Sequence, residues 1–184
     1  MDHELHQLFD PESSTFTYLL VDIATREAIV VDSVDRMVER DLGVIHRLGL
    51  TVRYVVETHA HADHVTGAGL LREKTKAKAA APFKCGISPA DVQLAHGDTL
   101  AFGVGEALLA IHTPGHTSGS TSYLWRGNVL TGDTLLIDGC GRTDFQNGDS
   151  RALYHSVTQK LFTLHDDVLV YPGHDYQNRR VSTI

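Results

Sequence analysis

Val52-Arg53-Tyr54-Val55-Val56-Glu57-Thr58-His59-Ala60-His61-Ala62-Asp63-His64 is an apolar run that empties into three imidazoles and one carboxylate. Neutral imidazole and ionised carboxylate are good ligands for first-row divalent ions, and His59 and His61, two apart, can converge on one ion from an irregular turn. The bland alternative is a solvated polar loop. What argues against it is that the cluster has partners downstream, a far more specific signal than a motif alone.

Those partners share one setting. Val52 to Glu57 feeds Thr58-His59; Leu108 to Ile111 feeds His112-Thr113-Pro114-Gly115-His116; Val129 to Thr131 feeds Gly132-Asp133; Val168 to Tyr171 feeds Pro172-Gly173-His174. Each apolar run reads as a strand that ends in a turn bearing a potential ligand, and loops held at strand ends are where a rigid scaffold presents a metal site. Thr17 to Asp22, Ala28 to Asp32 and Thr121 to Trp125 read as further strands. Val34, Val38, Leu42, Ile45 and Leu48 keep the spacing of an amphipathic helix that Gly49 stops, and residues 63–76 and 150–161 read as two more, the latter with Ser150 as its N-cap. Sheets packed together with helices outside form a layered α/β domain.

The 184 residues, 42% of them hydrophobic, suffice for one domain, 1–184, with a sizeable core. A formal charge of −7, without a Lys/Arg run, disfavours nucleic acid. Cys85 and Cys140 form no CxxC pair, so neither a disulfide framework nor a zinc ribbon is expected, and a reducing compartment follows. The N-terminus lacks a signal or transit pattern and no run reaches the ~18 apolar residues of a membrane span, so the expectation is a soluble, cytoplasmic protein with no membrane association.

Taken together, THAHADH at 58–64, TPGHTSGS at 113–120, TGD at 131–133 and PGHD at 172–175 resemble the successive ligand motifs of the metallo-β-lactamase superfamily. The resemblance spans about residues 15–180 and implies a four-layer αββα sandwich with a metal in a cleft at one edge. Gly139-Cys140-Gly141-Arg142-Thr143-Asp144-Phe145-Gln146 narrows it: here the chain is similar to the persulfide dioxygenases, whereas the related glyoxalase II enzymes carry an aromatic and acidic stretch after the arginine or lysine.

That resemblance implies one Fe(II) per chain held by His59, His116 and Asp133, with His61, Asp63, His64 and His174 holding water and orienting the ligands. It implies glutathione persulfide and O2 as substrates, with sulfite and glutathione as products. The competing resemblance, to glyoxalase II, implies two Zn(II) or a Zn/Fe pair, His59, His61 and His116 on one ion, Asp63, His64 and His174 on the other, Asp133 bridging, and hydrolysis of S-lactoylglutathione or a related ester. All seven residues are present, so the ligand inventory leaves metal count open. Arg142 and Tyr176 are candidates for substrate binding, set against a salt bridge from Arg142 to Asp144 or Asp175 and a simply packed tyrosine. Thr131 is read as fixing its turn, Cys140 and Cys85 as structural, His112 as no ligand, and His3, His6, His46, His96, His155 and His165 as ordinary surface histidines. The resemblance further implies a homodimer, a rhodanese-type sulfurtransferase as partner or fused domain, and a C-terminal segment beyond Ile184.

Overall fold

The computed structural model describes residues 3–177 and 179–184. β1 (His3–Asp10), β2 (Thr15–Asp22), β3 (Glu27–Val31), β4 (Thr51–Val56), β5 (Lys78–Pro82) and β6 (Val92–Leu94) form one sheet in sequence order. β7 (Thr99–Phe102), β8 (Glu106–His112), β9 (Thr121–Trp125), β10 (Asn128–Gly132), β11 (Leu169–Pro172) and β12 (Ser182–Thr183) form the second, in the order β12-β11-β10-β9-β8-β7. β3 to β6 run parallel, as do β10 and β11, and the other neighbours are antiparallel.

The layers follow from which residues alternate where. Phe16, Tyr18, Leu20, Ile29 and Val31 meet Leu108, Ala110, Tyr123, Trp125 and Leu130 between the sheets. Leu19, Val21, Ala28 and Val30 point the other way, onto α1 (Val38–Leu48) and α2 (Ala68–Thr75). All eight residues of β2 are therefore buried, which is why it reads as a continuous apolar run rather than an alternating one. Val129, Val168 and Val170 pack with Leu161, the last residue of a π-helical turn (Val157–Leu161) that extends α3 (Ser150–Ser156). Helix, sheet, sheet, helix is the expected αββα sandwich.

The expected helix ends shift for local reasons. The first helix opens with a 3-10 turn (Asp35–Met37) before α1, and Gly49 ends it at φ 63°, the left-handed conformation that glycine adopts without a Cβ penalty. α2 begins at Ala68 rather than Asp63, because Val34 bridges Thr66 and the Asp63 and His64 side chains turn into the site. α3 is capped by Asp149, not Ser150: its carboxylate accepts the backbone N–H of Arg151 (2.8 Å) and Ala152 (3.0 Å). β1, β5, β6, β7 and β12 were not among the expected strands.

Candidate metal centre

The C-terminal ends of β3, β4, β8, β10 and β11 collect at one edge of the sandwich, where the two sheets are tied by the Thr121 N–H donating to the Thr58 carbonyl (2.9 Å) and the Tyr123 hydroxyl to the Glu57 carbonyl (2.8 Å). Ligand-bearing loops from both sheets thereby face one cleft. His59, His116 and Asp133 each offer one ligand atom, and these atoms lie within 4.8 Å of one another. His61, Asp63 and His64 make a second such group, and Asp32, Glu57 and His61 a third.

Hydrogen bonds fix which nitrogen of each ring is bare. The Asp32 carboxylate accepts both the Thr58 N–H (2.7 Å) and the Thr58 hydroxyl (2.8 Å). Having donated its proton, that hydroxyl can only accept from His59 Nδ1 (2.9 Å), which leaves Nε2 as a lone pair. His116 Nδ1 donates to the Arg142 carbonyl (2.8 Å) and His174 Nδ1 to the Ser14 carbonyl (3.2 Å), again freeing Nε2. His64 Nδ1 is held by Asp63 (2.8 Å). His61 turns Nε2 between two buried carboxylates, 3.2 Å from both Asp32 and Glu57.

Four buried atoms here have no hydrogen-bond partner among the described residues: Asp133 Oδ1, His61 Nδ1, His64 Nε2 and Glu57 Oε2, the last facing His61 Nε2 at 3.2 Å. Orphaned polar atoms of this kind cost roughly 1–3 kcal/mol each unless something binds them. Asp133 Oδ1 and the bare Nε2 atoms of His59 and His116 make the donor set a divalent metal needs, so these residues fit the implied ion. Burial first, and then the surrounding imidazoles, push His59 well below the ordinary histidine range, which favours the neutral ring. For Asp63 burial works against ionisation, yet the His64 hydrogen bond and neighbouring imidazoles outweigh it and hold the carboxyl below its usual range. Burial likewise opposes charge on His61, but Asp32 and Glu57 overcome it and hold the ring well above its ordinary value.

Backbone space is equally specific. A Cβ on Gly141 would lie 2.7 Å from His116 Nδ1, and one on Gly173 would lie 2.7 Å from Asp133 Oδ1, so only glycine lets these segments approach the two side chains so closely. The His116 loop is pressed onto α3 by the Asp149 N–H on the Gly115 carbonyl (2.8 Å) and the Ser156 hydroxyl on the Pro114 carbonyl (2.7 Å), while Lys160 caps the His112 carbonyl.

The cleft is a cavity of about 500 Å³ whose lining includes Asp63, His116, Asp133, Arg142, His174 and Tyr176. Arg142 is on its rim, with Nε and Nη2 both on Asp144 (2.7 and 2.9 Å), so the salt-bridge alternative is the one observed. Tyr176 is 75% exposed, its ring stacked parallel on His174 at 6.1 Å, not packed in the core. Thr131 bonds the Leu135 carbonyl (2.6 Å) and fixes its turn. Cys140 is exposed on the cavity wall, and Cys85 is half-buried. His112 faces the Ser118 carbonyl (3.1 Å), and His46, His96, His155 and His165 are exposed. His6 is partly exposed beside Glu4, but His3 packs edge-on against Trp125 at 5.2 Å, a contact its terminal position did not suggest. Asp32, Glu57 and Gln146 were given no role from sequence; an acidic residue closing an apolar strand, as Asp32 closes Ala28 to Val31, was the available signal for the first.

Residues 10–82 and 86–174 match the family described as the Metallo-beta-lactamase superfamily. The chain is 46% identical over 182 residues to the mitochondrial persulfide dioxygenase ETHE1 of Homo sapiens, covering 98% of this chain and 71% of that protein. It superposes on the crystal structure of ETHE1 from Myxococcus xanthus with a TM-score of 0.94 at 50% identity, covering 98% of this chain and 79% of the other. It is 36% identical over 166 residues to a hydroxyacylglutathione hydrolase of Polaromonas, covering 88% of this chain and 62% of that one. The clustered histidines and carboxylates at the strand ends, the αββα layers and these matches agree: the chain belongs to the metallo-beta-lactamase superfamily, in its persulfide dioxygenase branch.

Proposed function

We propose that this persulfide dioxygenase binds one Fe(II) per chain through His59, His116 and Asp133 and oxidises glutathione persulfide. Glutathione persulfide, O2 and water become glutathione, sulfite and two protons. The observation that carries the reading is the grouping of ligand atoms: His59, His116 and Asp133 cluster together, while His61 is drawn away onto Asp32 and Glu57. Two histidines and one carboxylate form the facial set that leaves open positions on iron. When bound, the iron supplies electrons and a common template for sulfur and O2.

The chain's own residues do the rest. Thr58 and the Arg142 carbonyl keep protons on the outer nitrogens of His59 and His116. Asp63, ionised and 3.7 Å from His174 Nε2, provides with it a polar wall that holds the water consumed in the reaction. Tyr176 and Phe145 border the cavity and shield the persulfide sulfur from solvent. The test is metal content of anaerobically purified protein, then oxygen uptake on adding glutathione persulfide. About one iron per chain with persulfide-dependent uptake and sulfite release is the expected result. Two metals, no uptake and hydrolysis of S-lactoylglutathione would overturn it.

One observation favours that second reading: His61 Nδ1 and His64 Nε2 are also buried without partners, and His61, Asp63 and His64 form a cluster of their own. The hydroxyacylglutathione hydrolase among the relatives points the same way. Metal stoichiometry separates the two.

A further inference from the structure

The loop that brings His116 to the metal cleft is gripped along its carbonyls. Those of His112, Thr113, Pro114 and Gly115 are each taken by a donor from outside the loop: Lys160 Nζ, the Thr134 hydroxyl (3.0 Å), the Ser156 hydroxyl (2.7 Å) and the Asp149 N–H (2.8 Å). All but Thr134 belong to α3, its cap and its π-helical extension. We propose that Lys160 is a positioning residue for the metal ligand His116, acting through the His112 carbonyl. The inference rests on His116 being a ligand, as in the reading above.

Three observations carry it. The first is charge. Lys160 is the one charged donor of the four, and a hydrogen bond from a charged group is about twice as strong as a neutral one. It is half-buried and makes no ion pair among the described residues; burial alone pushes its ammonium below the ordinary lysine range. An ammonium held partly out of water with no carboxylate beside it is costly to place, and what it reaches there is the carbonyl that opens the ligand loop.

The second is the turn that carries it. The Phe162 N–H reaches back five residues to the Val157 carbonyl (2.8 Å), and such wide turns are rare and concentrate at functional sites. The third is stiffness. The ring of Pro114 fixes its φ, and Gly115 lies so close to α3 that a Cβ there would be 2.3 Å from Leu153 Cα. The loop therefore has little slack between His112 and His116, and a shift of the first is carried to the second. It would pull the His116 ring against its Nδ1 bond to the Arg142 carbonyl (2.8 Å).

The experiment replaces Lys160 by Met, Gln and Arg, with Thr163→Val as a control that removes a local bond to the Lys160 carbonyl (2.9 Å). Co(II) affinity is read by chelator competition, the Co(II) environment by its visible spectrum, and kcat and KM for glutathione persulfide on the iron-loaded enzyme. Lys160→Met should bind Co(II) about tenfold more weakly, at the lower end of what losing an outer hydrogen-bond partner costs, with an altered spectrum and a lower kcat at a KM within about twofold. Lys160→Arg keeps the charge and the donors and should return the affinity to within about twofold of wild type, while the shorter, neutral Lys160→Gln should fall between. Thr163→Val should leave Co(II) affinity unchanged. If Lys160→Met, or Lys160→Gln where the Met variant does not fold, keeps wild-type affinity and spectrum, the positioning role is refuted; so it is if Lys160→Arg is as weak as Lys160→Met. Unchanged Co(II) affinity in His116→Ala would refute the ligand assignment itself. Protein that binds Co(II) through His116 but, loaded with iron, takes up no oxygen with the persulfide would refute the reaction while leaving the role of Lys160 standing.

Discussion

Thr58→Val isolates the link between Asp32 and His59. Valine matches threonine in shape, so the substitution removes one hydroxyl from a site packed closely enough that a Cβ on Gly132 would lie 2.5 Å from it. Two bonds vanish: the 2.8 Å donation to the Asp32 carboxylate and the 2.9 Å acceptance from His59 Nδ1. The first is a buried, charge-assisted bond, for which about 1.5–3 kcal/mol is expected; the second leaves a ring N–H unsatisfied, for about 1 kcal/mol more. The Thr58 N–H still binds Asp32 at 2.7 Å, so the loop keeps its path.

Denaturation of the metal-free protein should therefore show a loss of about 2–4 kcal/mol. Metal affinity should fall about 10- to 100-fold, because His59 loses the acceptor that holds its Nε2 lone pair on the metal side. Competition against a chromophoric chelator under anaerobic conditions reads the affinity directly. Thr58→Ser keeps the hydroxyl and should restore most of it. A valine variant that binds iron as tightly as wild type, or a serine variant as weak as valine, would refute the link.

Asp133→Ala should abolish both iron binding and persulfide-dependent oxygen uptake; a variant with full activity would remove Asp133 from the ligand set. His61→Ala should keep its iron stoichiometry by elemental analysis while turning over more slowly, and loss of one whole equivalent from a two-metal protein would favour the binuclear reading. Burial opposes ionisation of Asp10, but Arg36 and Ser13 overcome it and bring its pKa down to about 2 from 3.8. A depressed carboxyl contributes stability that is complete above its unfolded value and is lost as pH falls through the folded one, so the window is roughly pH 4 to 2. Asp10→Asn should be less stable than wild type by about 2 kcal/mol at pH 7, with the gap closing by about pH 2 in urea titrations; a pH-independent gap would refute it.

The centre of the sandwich was legible because both faces of β2, β3, β4 and β10 are covered, which turns each into a short apolar run ending in a polar turn. Four of the strands that escaped notice, β1, β6, β7 and β12, are the outer strands of the two sheets, while the fifth, β5, lies inside between β4 and β6. β1 carries His3, Glu4, His6 and Gln7 among its apolar residues and is only half-buried, and β6 and β12 are two or three residues long, too short for any period to show. The metal-ligand candidates were legible as residue types because a site needs donors whatever surrounds them. Their orientation was not: that His61 faces Asp32 and Glu57 depends on β3 and β4 lying side by side, a pairing no local spacing records. Arg142 shows the same limit, since its partner Asp144 is only two residues away yet an equally good candidate, Asp175, belongs instead to Arg179.

The segment that separates the two branches of the superfamily acts here mainly through its backbone. The Arg142 carbonyl receives His116 Nδ1, the Gly141 N–H binds the Asp133 carbonyl at 2.7 Å, and the bare face of Gly141 makes room for the His116 ring. Two of the three proposed iron ligands are thus oriented by main-chain atoms between residues 139 and 143. The side chains of the same stretch point elsewhere: Arg142 and Asp144 pair on the rim, Phe145 stands 55% exposed with Arg142 against its ring, and Gln146 reaches across to Ala60. Ligand geometry and substrate wall are therefore carried by one short stretch but by different atoms of it. A change of side chain at 142–146 can reshape the cavity without disturbing His116 and Asp133, whereas a change of backbone path at Gly141 cannot. On that physical ground the stretch can diverge with substrate while the ligand motifs stay the same.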